Sequence, residues 1–259
     1  MKNVTFLFLV SIYLLLPSDI SWASTPEELF FQANQAYKSG NYEEASKIYS
    51  ELIINGPVSG HIYYNLGNSS FRQGDLGAAI LNYERAKTLI PRDADLAFNL
   101  GYARERIRDA VDPATRPLST FFFWLDSFSL NEMSILFVFV NALFFTAWIL
   151  RLTLRHEWTF SFLITMLVFW SITGPSLGLK WYQIVADNRV VILAPEVSVL
   201  AGPDPKDTEL FKLHAGTVIR AERSEGGWSL IRIAEDKRGW VKKEAIGFIV
   251  KSKREGAAV

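Results

Sequence analysis

Four pairs of residues in the first hundred positions recur at a single interval. Gly40 and Gly74, Ala45 and Ala79, Tyr49 and Tyr83, and Pro57 and Pro91 each lie 34 residues apart. A period of that length, with turn glycines, small residues, aromatics and a closing proline at fixed offsets, predicts stacked helix–turn–helix units. One such unit cannot bury its apolar face alone, so neighbours must stack to make a core. The second copy is the fuller: Tyr63, Leu66, Gly67, Gly74, Ala79, Tyr83, Ala86 and Pro91. Gly67 and Ala79 are placed where the helices of a unit cross, because only small side chains permit close approach there. Gly40-Asn41 and Gly74-Asp75 supply the turns, since glycine takes the left-handed conformation that ends a helix. The first copy, about 26–59, has Gln32-Ala33 where the second has Leu66-Gly67. A third begins at Ala94 with Asn99-Leu100-Gly101 and stops after one helix.

The pattern resembles the tetratricopeptide repeat, which places an aromatic, Leu-Gly, a turn glycine, Ala, an aromatic, Ala and Pro at these intervals. The resemblance covers roughly a third of the chain and implies a scaffold that holds other proteins without chemistry of its own. Residues three or four apart on the first helix of each unit share a face. Phe30, Asn34 and Lys38 form such a row, Tyr64, Asn68 and Arg72 repeat it, and Phe98, Tyr102 and Arg106 repeat it again. Aromatic, amide and basic groups in parallel rows suit an extended peptide of a protein partner, although the same residues would also serve to pack helix on helix. Some tetratricopeptide domains clamp a C-terminal carboxylate with lysines on the aromatic row. Those lysines are missing here, so that ligand is not implied.

The residue inventory points away from an enzyme, and no cofactor is expected. There is no cysteine, which removes disulfides, thiolate metal sites and a cysteine nucleophile. The three histidines, His61, His156 and His214, fall in three different segments, and no histidine pair has metal-ligand spacing. A glycine-rich phosphate loop and a Gly-x-Ser-x-Gly elbow are both absent. Glu43-Glu44 sits early in a helix, where carboxylates favour the dipole. Basic and acidic residues number 27 each, so nothing suggests a nucleic-acid partner.

Apolar residues are segregated. Lys2, the apolar run Val4 to Leu16 and the small residues at Ser21-Trp22-Ala23 predict a secretory signal peptide over residues 1–23. An uncleaved membrane anchor is the alternative. Met133 to Leu150 and Trp158 to Leu179 carry no charge and are long enough to cross a bilayer. Transmembrane helices are therefore predicted over 133–153 and 158–179. Ser129-Leu130-Asn131-Glu132 reads as a capping box opening the first, and Gly174-Pro175 as a kink or early exit from the second. Trp124, Trp148, Trp158, Trp181 and Tyr182 flank the runs as an interfacial belt would. The connection between the spans carries Arg151 and Arg155, which places it in the cytoplasm and both flanking modules in the periplasm. A multi-pass protein of the bacterial inner membrane is the expectation.

The repeat domain is assigned to residues 24–112, and a linker and interfacial segment to 113–132. Pro113 and Pro117 mark the linker, and Leu118 to Leu130 reads as lying along the membrane or leading into the first span. Beyond 186 the pattern changes to period two. Arg189–Leu193, Glu196–Leu200, Thr217–Glu222, Trp228–Ile233 and Arg238–Val241 read as five strands, implying a small bent barrel over 186–250. Gly202-Pro203, Gly216-Thr217, Gly227-Trp228 and Arg238-Gly239-Trp240-Val241 resemble the bacterial SH3 family. Leu200 stands where that family usually carries arginine, which leaves its cell-wall peptide ligand without support. Trp228 and Trp240 serve either as a ligand platform or as core. The tail 251–259, with Lys251, Lys253 and Arg254, is expected to be disordered. Residues 24–112 hold nine basic against twelve acidic residues, and residues 186–259 hold thirteen against eleven. Neither imbalance dictates a partner.

The expected fold is thus multidomain: all-α tetratricopeptide repeats, two transmembrane helices and a small all-β SH3-like barrel. In that order, behind a signal peptide, these parts resemble the BatE proteins of the Bacteroides aerotolerance family. The resemblance implies a non-enzymatic scaffold working with Bat-type membrane proteins in envelope integrity and oxidative stress tolerance. An alternative is a wall-binding anchor whose barrel grips peptidoglycan while the repeats recruit a hydrolase. A transport or signalling role for the hairpin is disfavoured, because transport paths usually need ionisable residues and both runs lack them.

Overall fold

The computed structural model describes residues 25–56, 59–111, 122–154, 156–234 and 237–250. The expected signal peptide, the prolines of the linker and the terminal tail lie outside the described residues. Five helices open the structure: α1 (Pro26–Lys38), α2 (Tyr42–Asn55), α3 (Gly60–Arg72), α4 (Leu76–Leu89) and α5 (Ala94–Arg104). Thr25 and Glu28 start α1 with a reciprocal cap: the Thr25 hydroxyl accepts from Glu28 N–H and the Glu28 carboxylate from Thr25 N–H. Asp75 and Asp93 cap α4 and α5 through their side chains. Gly40 and Gly74 turn α1 into α2 and α3 into α4 with φ of 83° and 82°, the left-handed conformation glycine reaches without strain. A Cβ on Gly67 would stand 2.6 Å from the Tyr83 ring. The glycine is therefore what lets α3 lie against α4, and its crossing partner is Tyr83.

Two clusters fill the repeats. Ala33, Ala45, Tyr49, Leu52, Ile62 and Leu66 form the first, between units one and two. The second gathers around α4 and α5 and also contains Val191 and Ile249 from the C-terminal module. Among the described residues no second helix follows α5.

A single 3₁₀ turn (Phe123–Asp126) leads to α6 (Leu130–Leu154) and α7 (Glu157–Val185). The capping box forms as the sequence predicts: the Glu132 carboxylate accepts from Ser129 N–H at 2.9 Å and the Ser129 hydroxyl from Glu132 N–H at 3.2 Å. α6 and α7 pack as a hairpin through Met133, Val140, Phe144 and Ala147, with Phe144 stacked on Trp170 at 5.7 Å. Trp170 also donates its indole N–H to Asn141. Both helices are long and apolar enough to cross a membrane, and each leaves most of its apolar surface uncovered by protein. Pro175 neither ends nor shortens α7, contrary to the early exit read from Gly174-Pro175; the helix runs on to Val185. Nor does the 3₁₀ turn merely lead in. It docks on the last turns of α7, where Trp124 donates to the Ser176 hydroxyl and Lys180 to the Leu125 carbonyl.

The C-terminal module is one antiparallel sheet of seven strands: β1 (Arg189–Ile192), β2 (Glu196–Leu200), β3 (Glu209–His214), β4 (Val218–Glu225), β5 (Trp228–Ala234), β6 (Lys237–Lys242) and β7 (Ile246–Phe248). Their order is β3-β2-β6-β5-β4-β1-β7. The end strands β3 and β7 do not pair with each other, so the sheet is open where a closed barrel was expected. Two strands exceed the five read from the sequence. In β3, Leu210 and Phe211 are adjacent and interrupt the period of two, and β7 is only three residues long. Val190, Ile192, Val199, Ile219, Ile231 and Val241 line the concave core, and Trp240 is 6% exposed.

The module is joined to the repeats by a shared core. A Cβ on Gly216 would meet Ile80 at 2.6 Å, one on Gly247 would meet Leu81 at 2.4 Å, and one on Gly77 would meet the Ile192 carbonyl at 2.7 Å. Backbone of the sheet thus lies directly on α4. That packing explains why both faces of α4 are buried, with Ile80, Leu81, Asn82, Tyr83 and Glu84 all inaccessible.

Candidate functional site

The three rows read from the sequence lie on α1, α3 and α5, the first helices of successive units, except that Arg106 stands two residues beyond the end of α5. Their amides are not idle. The Asn34 carbonyl oxygen accepts from the Tyr49 hydroxyl at 2.6 Å and from the Asn65 amide at 3.2 Å. One repeat later the Asn68 oxygen accepts from the Tyr83 hydroxyl at 2.8 Å and from the Asn99 amide at 2.9 Å. Burial pushes the Tyr49 phenol up to about 12 and raises Tyr83 further, so both hydroxyls stay protonated donors. The ladder is thus a repeated structural device. Asn65 and Asn99 belong to it and were missed, although their own 34-residue spacing was a legible signal.

The ladder leaves groups unspent. Asn34 and Asn68 commit their oxygens, while Asn65 and Asn99 commit their nitrogens. No buried side-chain polar atom among the described residues lacks a partner, so the remaining amide nitrogens of Asn34 and Asn68 and oxygens of Asn65 and Asn99 are open to solvent. Each unit therefore presents one free donor beside one free acceptor. A peptide unit carries the complementary pair.

Around the amides the rows divide by environment. Phe30 packs edge-on against Tyr49, and Tyr64 lies against Tyr83 while accepting from Asn99. Phe98, by contrast, is 73% exposed, and among the described residues no second helix of the third unit covers it. Arg72 donates to the Tyr42 hydroxyl and stacks on its ring, and Arg106 covers Tyr102 and Phe71. Both cations stay exposed, as does Lys38. The structure gathers Phe30, Asn34, Tyr64 and Asn68 around the two ladder tyrosines, while Lys38 lies exposed at the end of α1.

Behind the repeats lies a polar junction that sequence reasoning did not find. Glu84, 1% exposed, takes Arg104 on one oxygen and Arg189 on the other, the latter at 3.1 Å. Asp187 holds the far side of the Arg189 guanidinium at 2.7 Å. Asp109, beyond α5, accepts from His214 N–H at 2.7 Å, from the His214 ring at 2.8 Å and from the Thr217 hydroxyl at 2.5 Å. Burial alone would raise the Asp109 carboxyl. The hydrogen bonds from Thr217 and His214 outweigh it and hold the group below its ordinary value. Glu84 and Arg189, like Asp109 and His214, are 105 residues apart, and no local pattern pairs them. Among the described residues no cluster of His, Asp or Glu could hold a metal ion.

A search of curated proteins finds no match to this chain. The tetratricopeptide repeat family model matches residues 32–94, which span α1 to the start of α5. Repeats of this kind are scaffolds for protein–protein interaction.

Proposed function

We propose that this chain is a non-enzymatic, membrane-anchored scaffold whose repeat groove takes an extended segment of a protein partner. The observation that carries the reading is the twice-repeated pair of open amide groups. Asn34 with Asn65, and Asn68 with Asn99, offer donor and acceptor together, flanked by the exposed Phe98 and the cations Arg72 and Arg106. Amides would bind peptide backbone, aromatics its apolar side chains and arginines its carboxylates. The opposite face of α4 is occupied by the sheet, which leaves the first-helix face as the free one.

In this reading α6 and α7 cross the inner membrane, Arg151 to Glu157 faces the cytoplasm, and the repeats and an SH3-like sheet module stand in the periplasm. The order of parts, similar to that of BatE proteins, suits membership of a Bat-type envelope or stress-tolerance complex. The wall-anchor alternative draws less support, because Trp240 is core and Arg223 lies over its ring.

Asn34→Asp with Asn68→Asp tests the groove. Aspartate keeps the oxygen that Tyr49, Tyr83 and the neighbouring amides need, and turns each open donor into a charged acceptor. Selection of a random peptide library against the full chain in nanodiscs should yield binders that the double variant holds at least tenfold more weakly, about 1.4 kcal/mol. Binders indifferent to both substitutions would remove the groove reading. Cysteines placed singly at Ser46, His156 and Asp207 test the topology: an impermeant reagent outside the inner membrane should label the first and last. Labelling at 156 alone would invert it.

A further inference from the structure

The sheet carries an arginine row of which the repeats take up one member, Arg189. The strand registers set Arg189 opposite Arg220, Arg220 opposite Arg232, and Arg232 opposite Arg238. Directly opposed residues of antiparallel strands project from one face, so four guanidinium groups line up across β1, β4, β5 and β6 over about 14 Å. Arg189 is bound to Glu84 and Asp187, and Arg232 to Glu222. Among the described residues, the exposed side chains of Arg220 and Arg238 make no hydrogen bond or ion pair. Like charges placed directly opposite one another destabilise a sheet. Their presence calls for an anionic counterpart outside the protein.

The position of the row says which one. Arg189 comes four residues after α7 ends at Val185, so the row is the line of the sheet next to that helix end. Trp181 and Tyr182, both exposed, mark the interfacial level of α7. From Tyr182 the helix rises about 4.5 Å to Val185, and four further residues reach at most about 14 Å. One side-chain contact also holds the same body against the hairpin: Arg92, just ahead of α5, ion-pairs with Glu132 in the first turn of α6 and stacks over Phe128. The row therefore lies at the end of the sheet nearest α7, within reach of the level at which phosphate groups of a bilayer surface would lie.

We propose that the Arg220–Arg232–Arg238 row binds the headgroup phosphates of anionic phospholipids in the leaflet from which α7 emerges, fixing the repeat–sheet body on the membrane surface. The inference rests on the membrane-anchored reading above. Guanidinium groups suit the task, since each bridges phosphate oxygens in a planar fork. Each charge that reaches an anionic surface strengthens association roughly fivefold, and salt weakens it.

The test uses the full chain, with Ala234→Cys at the exposed end of β5 as the only cysteine, carrying a fluorophore. The protein is reconstituted in phosphatidylcholine vesicles or in vesicles with roughly a third phosphatidylglycerol, each with a headgroup nitroxide quencher. Quenching should be at least about threefold stronger on the anionic vesicles. The excess should vanish in high salt and in Arg220→Gln with Arg238→Gln. Equal quenching on both vesicles, or an undiminished excess in the double variant, overturns the proposal. The variant should melt at or above the parent's temperature, because opposed charges have been removed; a lower value would make the row structural and also overturn it. Protection of the label by soluble polyglutamate on neutral vesicles, with no response to phosphatidylglycerol, would reassign the row to an acidic polypeptide. Flotation with carbonate-washed neutral vesicles reads the anchoring separately. Loss of flotation removes the anchored reading and this inference with it, whereas flotation without lipid dependence removes this inference alone.

Discussion

Gly67 and Gly101 occupy the same place in successive units, yet alanine should act on them in opposite directions. In a helix interior alanine is favoured over glycine by up to about 1 kcal/mol. At Gly101 a Cβ would meet no atom within 4 Å, so Gly101→Ala should realise about 0.5–1 kcal/mol of stabilisation. At Gly67 the same Cβ lands 2.6 and 2.7 Å from two carbons of the Tyr83 ring. That ring cannot withdraw freely: it is 2% exposed and its hydroxyl is held by Asn68 at 2.8 Å. Overpacking of this kind costs about 1–3 kcal/mol, which outweighs the propensity gain and leaves a net loss of about 1 kcal/mol. The two variants should therefore differ by about 2 kcal/mol, or roughly 4–8 °C in melting temperature for a cooperative body of this size. Gly67→Leu should lose more than about 2 kcal/mol. Thermal melts of the full chain in detergent, followed by far-ultraviolet circular dichroism, measure all three. The whole chain is needed because the repeats share a core with the sheet. If both alanines shift the melt in the same direction, the crossing geometry is not what distinguishes the two units.

The polar junction yields two further expectations. Asp109 has a folded-state carboxyl below its unfolded value near 3.9, so its stabilisation is fully present above that value and fades as the pH falls through the folded one. The melting-temperature gap between the parent and Asp109→Asn should narrow as the pH falls from about 5 to below about 4; a gap that widens over that window would contradict the hydrogen bonding assigned to Thr217 and His214. Glu84→Gln removes a buried charge from between two arginines. Arg104 is half-exposed and returns to water, and Arg189 keeps Asp187, so the loss should sit at about 2–3 kcal/mol, at or below the usual range for a broken buried pair. A change in denaturant midpoint worth less than about 0.5 kcal/mol would show that Glu84 does not tie the two modules together.

What the sequence made legible follows the range of the interaction. Gly40, Gly74, Ser129 and Glu132 act within four residues of themselves, and their turns and cap appear where the pattern predicts. The 34-residue spacing located both tyrosines of the ladder, because a repeat turns a distant contact into a periodic one. Strand β3 was lost for a local reason: Leu210-Phe211 breaks the alternation, and only pairing with β2 settles its register. The contacts of Glu84 with Arg189 and of Asp109 with His214 had no such signal. Each pairs a repeat residue with a sheet residue whose charge, taken alone, reads as an ordinary solvated face.

That last failure changes how the parts should be understood. Reading the chain as modules on a string leaves α4 as the convex helix of a repeat, open to water on its outer side. Its sequence argues otherwise, since Gly77, Ile80, Leu81 and Glu84 put a small residue, two large apolar ones and a carboxylate on that outer side. Exposed, they would waste apolar surface; under the sheet, Gly77 admits the backbone of β1 and the loop after it while Glu84 neutralises Arg189. A truncated array of two and a half repeats has little core to spare, and the sheet supplies what a further helical unit would otherwise cover. The same docking keeps the groove within a short connection of the α6–α7 hairpin, because β1 follows α7 by three residues. On the proposed reading, a partner bound along α1, α3 and α5 is then held at a set orientation to the bilayer. A flexible tether between repeats and membrane would not provide that.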